Sequence, residues 1–128
     1  MRYFTYAEII ELHVMIIEDF GGLHGIRDEA GLKSLVEAPQ MIAFGVEQYV
    51  SMYEKAAVYM RNCIADHAFV DDNKRTGVTL AVLFLARNGR ELCASPKQLE
   101  NFAVDVATRH LGVEEIAEWL RCCSSALK

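Results

Sequence analysis

Long apolar runs, prolines and basic charge are all scarce in this chain. No hydrophobic stretch reaches the ~18 to 20 residues needed to cross a bilayer, which argues against a membrane span. The opening MRYFTYAEII holds Glu8 within its apolar part and lacks a signal-peptide h-region, so a cytoplasmic protein is expected. The only prolines are Pro39 and Pro96, and no low-complexity stretch marks a linker. Residues 1–128 therefore read as a single domain. Thirteen Lys and Arg face eighteen Asp and Glu, a formal charge of −5. General nucleic-acid binding sets many cations against phosphates, so this balance argues against it while leaving room for one local anion pocket. The four cysteines, Cys63, Cys93, Cys122 and Cys123, match no CxxC metal spacing, and the adjacent pair makes a poor structural disulfide. They read as reduced, packing thiols.

What is present is apolar residues at helical spacing. A hydrophobic share of 52% beside 24% charged residues reads as globular rather than disordered. Thr5 to Glu8 has the form of a capping box, Ile9, Leu12, Ile16 and Phe20 follow at helical spacing, and Gly21-Gly22 ends that helix. Asp28 can cap a second helix through about Glu37, before Pro39. Gln40 to Gly45 is ambiguous and compatible with extended chain. Tyr49, Met52, Tyr53, Ala56, Met60, Cys63, Ile64 and His67 form one stripe, which predicts His67 on the buried face at a helix C-terminus. Val78 to Ala86 (VTLAVLFLA) lacks a polar face and predicts a central helix. Ser95-Pro96-Lys97-Gln98 starts another, running to about Arg109, and a last one follows Gly112. The expected fold is all-α: a compact bundle of about six helices around a buried central one.

One stretch breaks the apolar pattern. HAFVDDNKRTG, His67 to Gly77, packs a histidine, two aspartates, an asparagine, a lysine and an arginine into the turn before the central helix. A helix start offers unpaired N–H groups and partial positive charge, which favour an anion and above all a phosphate. Asp72, Asn73, Lys74 and Arg75 occupy that start. Asp71 beside a phosphate site makes sense with a divalent cation between them, since magnesium takes one or two carboxylates plus phosphate oxygens. His67 has the chemistry to accept a proton from an attacking hydroxyl. Singly, each has an ordinary explanation: a core histidine, a helix cap, solvated cations. Together they are the inventory for phosphoryl or nucleotidyl transfer. Phe69 reads as a core anchor for the turn.

HAFVDDNKRT resembles the signature of the Fic/Doc superfamily in its Doc (death-on-curing) branch. The Fic form is HPFx(D/E)GNGRxxR and the Doc form HxFx(D/N)xNK(R/T); His67, Phe69, Asp71, Asn73, Lys74 and Arg75 fall on the latter. Gly21 to Pro39 (GGLHGIRDEAGLKSLVEAP) and LFLARNGREL also resemble Doc proteins, so the likeness covers most of the chain. The resemblance implies an all-α Fic/Doc fold, with His67 as base for a target Ser or Thr hydroxyl and Asp71 as ligand to Mg2+. Asn73, Lys74 and Arg75, with the backbone at Asp72, would bind the phosphates of ATP. Gln40 to Val46 would lie where the family has a flap that aligns the target peptide. Lys74 stands where the Fic form has its second glycine, and Val78 where it has the final arginine. Both departures favour phosphate transfer, as in the Doc branch, over the AMP transfer of Fic proteins, which stays as the alternative. A non-catalytic module binding nucleotide or partner is another. The resemblance further implies a toxin of a toxin–antitoxin system. Its target would be a translation elongation factor, and its antitoxin's C-terminal segment would fold as a helix in a groove of the toxin.

Overall fold

A computed structural model describes residues 1–127 of the chain. Six helices carry the fold: α1 (Tyr6–Phe20), α2 (Glu29–Glu37), α3 (Met52–Asp66), α4 (Asn73–Arg87), α5 (Pro96–Arg109) and α6 (Val113–Cys122). Their starts follow local chemistry. At α1 the Glu8 N–H donates to Thr5 Oγ1 while Glu8 Oε1 accepts from the Thr5 N–H, which pairs two end donors at once. Ser51 with Glu54, and Ser95 with Gln98, repeat the arrangement at α3 and α5. Asp28 accepts from the Gly31 N–H and caps α2.

The all-α bundle is as expected, and its centre is shared by two helices. α3 packs against α2, α4, α5 and α6, with Ala56 to Met60, Cys63 and Ile64 buried along it. α4 lies against it, buried at Leu80, Ala81, Phe84 and Leu85 but showing Leu83 to solvent. The two approach closely at Gly77, where a Cβ would stand 3.0 Å from both the Met60 carbonyl and Ile64. Aromatic contacts close the ends. Phe4 and Phe84 pack on Tyr59 at 5.4 and 5.2 Å, and Phe102 stacks on Trp119 at 3.9 Å. Among the described residues no helix is long and apolar enough to cross a membrane.

Two short strand pairs, one of them a hairpin, escape the helical reading. The ambiguous stretch becomes a 3-10 turn (Ala38–Gln40) and then β1 (Ile42–Ala43) paired antiparallel with β2 (Val46–Glu47). Phe44 and Gly45 turn the hairpin, both at positive φ. Its base is pinned by Lys55, 1% exposed, whose Nζ donates to the Pro39 carbonyl at 3.1 Å and lies 3.4 Å from Glu47. A buried ammonium needs such partners. Further on, β3 (Arg90–Leu92) pairs with β4 (Ser124–Ala126). Cys63 is a packing thiol. It is fully buried, burial pushes its pKa up, and Sγ donates to the Asn73 carbonyl at 3.4 Å. Cys93 and Cys122 are exposed instead, contrary to the expectation for them.

Candidate active site

The turn between α3 and α4 is built by returning the chain to the core at once. α3 ends at Asp66, and His67 takes a left-handed conformation (φ 49°, ψ 55°) so that Ala68 and Phe69 can be buried at 1% exposure each. The expectation that His67 extends the buried stripe is therefore corrected. It stands one residue past the helix and is exposed. A stripe counted by threes and fours assumes helical backbone, and the left-handed residue breaks that count. Arg27 holds the corner, with Nε donating to the His67 carbonyl at 2.7 Å and Nη2 to the Asp66 carbonyl at 2.8 Å. These are carbonyls that a helix end leaves unpaired.

The rest of the turn is docked on the segment before α2. The Arg27 and Asp28 N–H groups donate to the Ala68 carbonyl, and the Val70 N–H donates to the Gly25 carbonyl at 3.0 Å. Phe69 bridges Ile26 and stacks flat on His13, with ring centres 3.9 Å apart. Asn73 is 7% exposed, and its amide is used at both ends. Oδ1 accepts from the Phe69 N–H at 3.1 Å, and Nδ2 donates to the Phe69 carbonyl at 2.9 Å. That side chain therefore faces the loop, and what it can offer a phosphate is its backbone N–H.

Asp71 is half-buried, with its carboxylate spread between two backbone donors. Oδ1 accepts from the Asp72 N–H at 2.9 Å and Oδ2 from the Leu23 N–H at 3.1 Å. A Cβ on Gly22 would stand 2.8 Å from Oδ2, and Gly22 has φ +122°, so glycine is required there for both space and backbone. Asp72 follows at φ 57°, ψ 33°. It holds the N-cap position of α4 without making a side-chain cap. One of its oxygens lies 3.4 Å from Arg75 Nη1, and the other is buried without a partner. The carboxylate that would ordinarily satisfy the first N–H groups is thus turned aside, leaving the helix end open to an external anion. Lys74 and Arg75 are exposed on this first turn, Arg75 resting 4.2 Å above the Phe20 ring.

The donor set fits a magnesium ion that arrives with a polyphosphate. Each Asp71 oxygen accepts one N–H and has a further lone pair, and one carboxylate plus phosphate oxygens and waters is an ordinary magnesium sphere. Among the described residues no group of three or more His, Cys, Asp or Glu is placed to hold a metal alone. Surface hollows of about 280 and 390 Å³ lie elsewhere, at Cys93–Cys123 and at Tyr49–Glu115.

Of the residues singled out in the sequence, His67, Asp71 and Asp72 lie on the turn between α3 and α4, Lys74 and Arg75 are exposed on the first turn of α4, and the Asn73 side chain is buried against Phe69. Two residues that build the corner were not singled out as part of it: His13, which no motif marks, and Arg27, which lies in the Gly21 to Pro39 stretch that resembles Doc proteins. A histidine amid L-H-V-M-I-I looks like core, and Arg27 lies 40 positions from the carbonyl it grips. The model of the Fic/DOC family matches residues 3–85, which include α1, the docking segment and all but the end of α4. The protein kinase doc of Escherichia phage P1 is 34% identical over 122 residues, covering 94% of each chain. Toxin Doc of Mycolicibacterium smegmatis is 37% identical over 100 residues, covering 77% of each. This chain belongs to the Fic/DOC family, on its Doc branch.

Proposed function

We propose that the chain is a Doc-type toxin that transfers the γ-phosphate of ATP to a Ser or Thr hydroxyl of a protein target. The observation that carries this reading is the open start of α4, uncapped by Asp72 and flanked by exposed Lys74, Arg75 and His67. A relative named as a protein kinase supports it. The phosphates lie against the N–H groups of the first turn, and Lys74 and Arg75 offset their charge. His67 takes the proton of the target hydroxyl. The hydroxyl oxygen then bonds to the γ-phosphorus as the bond to the bridging oxygen breaks, and ADP leaves. Asp71 would hold magnesium, which when bound neutralises charge on the phosphate oxygens. The β1–β2 hairpin offers an exposed edge with Ile42, Phe44 and Val46, suited to aligning an extended target segment. A translation elongation factor as target, and an antitoxin whose C-terminal helix fills a groove of the toxin, complete the reading.

The test is label transfer. ATP labelled at the γ position is expected to mark protein in a lysate, and ATP labelled at the α position is not. Transfer of the α label would make the chain an AMP transferase, and nucleotide binding without either transfer would make it a binding module. His67→Ala is expected to abolish transfer at unchanged melting temperature. Retained transfer removes His67 as the base.

A further inference from the structure

His13 lies on α1, far in sequence from the turn, yet it is 2% exposed and is held against that turn. We propose that His13 is a positioning residue for the Asp71 carboxylate, acting through one peptide plane. Its Nε2 lies 2.9 Å from the Asp71 carbonyl oxygen. A carbonyl only accepts, so Nε2 carries the hydrogen and donates it. That carbonyl shares a peptide unit with the Asp72 N–H, which donates to Asp71 Oδ1 at 2.9 Å. Peptide units are planar, so fixing the carbonyl end fixes the N–H end. His13 therefore sets the direction of the donor that holds the carboxylate. Asp72 sits at φ 57°, in the left-handed region that aspartate tolerates but that is less favourable than ordinary backbone, so a released peptide has a lower-energy orientation to fall into.

The brace is itself rigid. The His13 ring lies parallel to Phe69 within 5°, and α1 is anchored by buried Ile9, Ile16 and Ile17. The Leu23 N–H holds the other oxygen from the opposite side. Removing the His13 donor would free one of the two restraints while leaving the packing filled. The inference rests on the reading of Asp71 as the magnesium carboxylate and adds what orients it.

Two variants separate orientation from packing. His13→Phe keeps a ring on Phe69 and loses the donor, while His13→Gln keeps a donor of similar reach and loses the ring. Manganese is the probe, added with a non-hydrolysable ATP analogue, and free Mn2+ is read by paramagnetic resonance without turnover. Losing an outer-shell partner costs about tenfold or more in metal affinity, so His13→Phe is expected to bind Mn2+ about tenfold more weakly. Its melting temperature should hold within a few degrees, and amide exchange at Asp72 should quicken. In label transfer its kcat should fall at saturating ATP with little change in KM. His13→Gln is expected to recover most of the Mn2+ affinity. His13→Phe binding Mn2+ like the wild type overturns the proposal, as does His13→Gln losing as much as His13→Phe. Should His13→Phe fail to fold, the Gln variant decides alone, since it is expected to bind Mn2+ nearly as wild type. Wild-type protein that binds no Mn2+ also overturns the proposal. Wild-type protein that binds Mn2+ but moves no label overturns the kinase reading and leaves the role of His13 decided by the titration.

Discussion

Replacing Asn73 by alanine should unseat the turn more than any change to its exposed residues. The side chain makes two bonds to the backbone of Phe69, at 3.1 and 2.9 Å, and it is 7% exposed. Alanine leaves the Phe69 N–H and carbonyl buried without partners. A buried polar group left unpaired costs about 1–3 kcal/mol, and partial rewetting keeps the pair near 2–4 kcal/mol, roughly a third of a typical domain's stability. Unfolding entropy of about 2.1 cal/mol/K per residue makes ~0.27 kcal/mol/K for 128 residues, so the melting temperature should fall by about 7–15 °C. Asn73→Asp is the sharper control. It keeps an acceptor for the Phe69 N–H but sets a second oxygen against the Phe69 carbonyl, so at neutral pH it should be no better than alanine. Urea unfolding followed by circular dichroism measures both variants, and amide exchange at Phe69 localises the effect. An alanine variant within about 0.5 kcal/mol of the wild type would refute the reasoning, because that is the range of inconsequential surface changes. So would an aspartate variant matching the wild type at neutral pH.

Three further outcomes follow from other contacts. Asp72→Asn removes a negative charge beside the open start of α4 and releases Arg75, while asparagine tolerates the left-handed backbone. ATP affinity measured by calorimetry should rise about three- to tenfold, the ~0.7–1.4 kcal/mol of one nearby charge, and a fall would show that Asp72 itself holds the ligand. Arg27→Ala removes both bonds to the end of α3 and should cost about 1–2 kcal/mol in urea unfolding, with Arg27→Lys recovering little because an ammonium lacks the two-pronged fork. A lysine variant equal to wild type would contradict that geometry. The hydrogen bond from Arg87, aided by the Thr5 N–H, holds the Glu8 carboxyl at about 2, below its ordinary 4.5. A depressed carboxyl stabilises the fold above the unfolded value and loses that contribution as pH falls through the interval. Both side chains are partly exposed, 28% and 36%, so only about 1 kcal/mol is expected to disappear between about pH 5 and pH 2. Glu8→Gln should flatten the urea midpoint over that range; an unchanged slope would remove Glu8 from the account.

The helices were legible because their ends are written locally. Thr5–Glu8 and Ser95–Gln98 each place both partners of a cap within four residues, and α1 and α5 start where those boxes sit. Ser51–Glu54 carries the same form, but the apolar stripe begins earlier at Tyr49 and draws the reading away from it. Strands of two or three residues are too short for alternation to register, so β1 to β4 leave no pattern. The corner itself was half legible. Its residue types and spacing carry the resemblance, whereas the direction of each side chain depends on contacts 40 to 58 positions apart, from Arg27 to His67 and from His13 to Asp71. His67 illustrates the limit: periodicity places it inward, and one left-handed residue turns it out.

Gly77 has a mechanical consequence. With the backbones of α3 and α4 this close, a side chain at position 77 would wedge the two helices apart and shift the corner between them. The geometry of the corner thus depends on the absence of one carbon atom where the two helices meet.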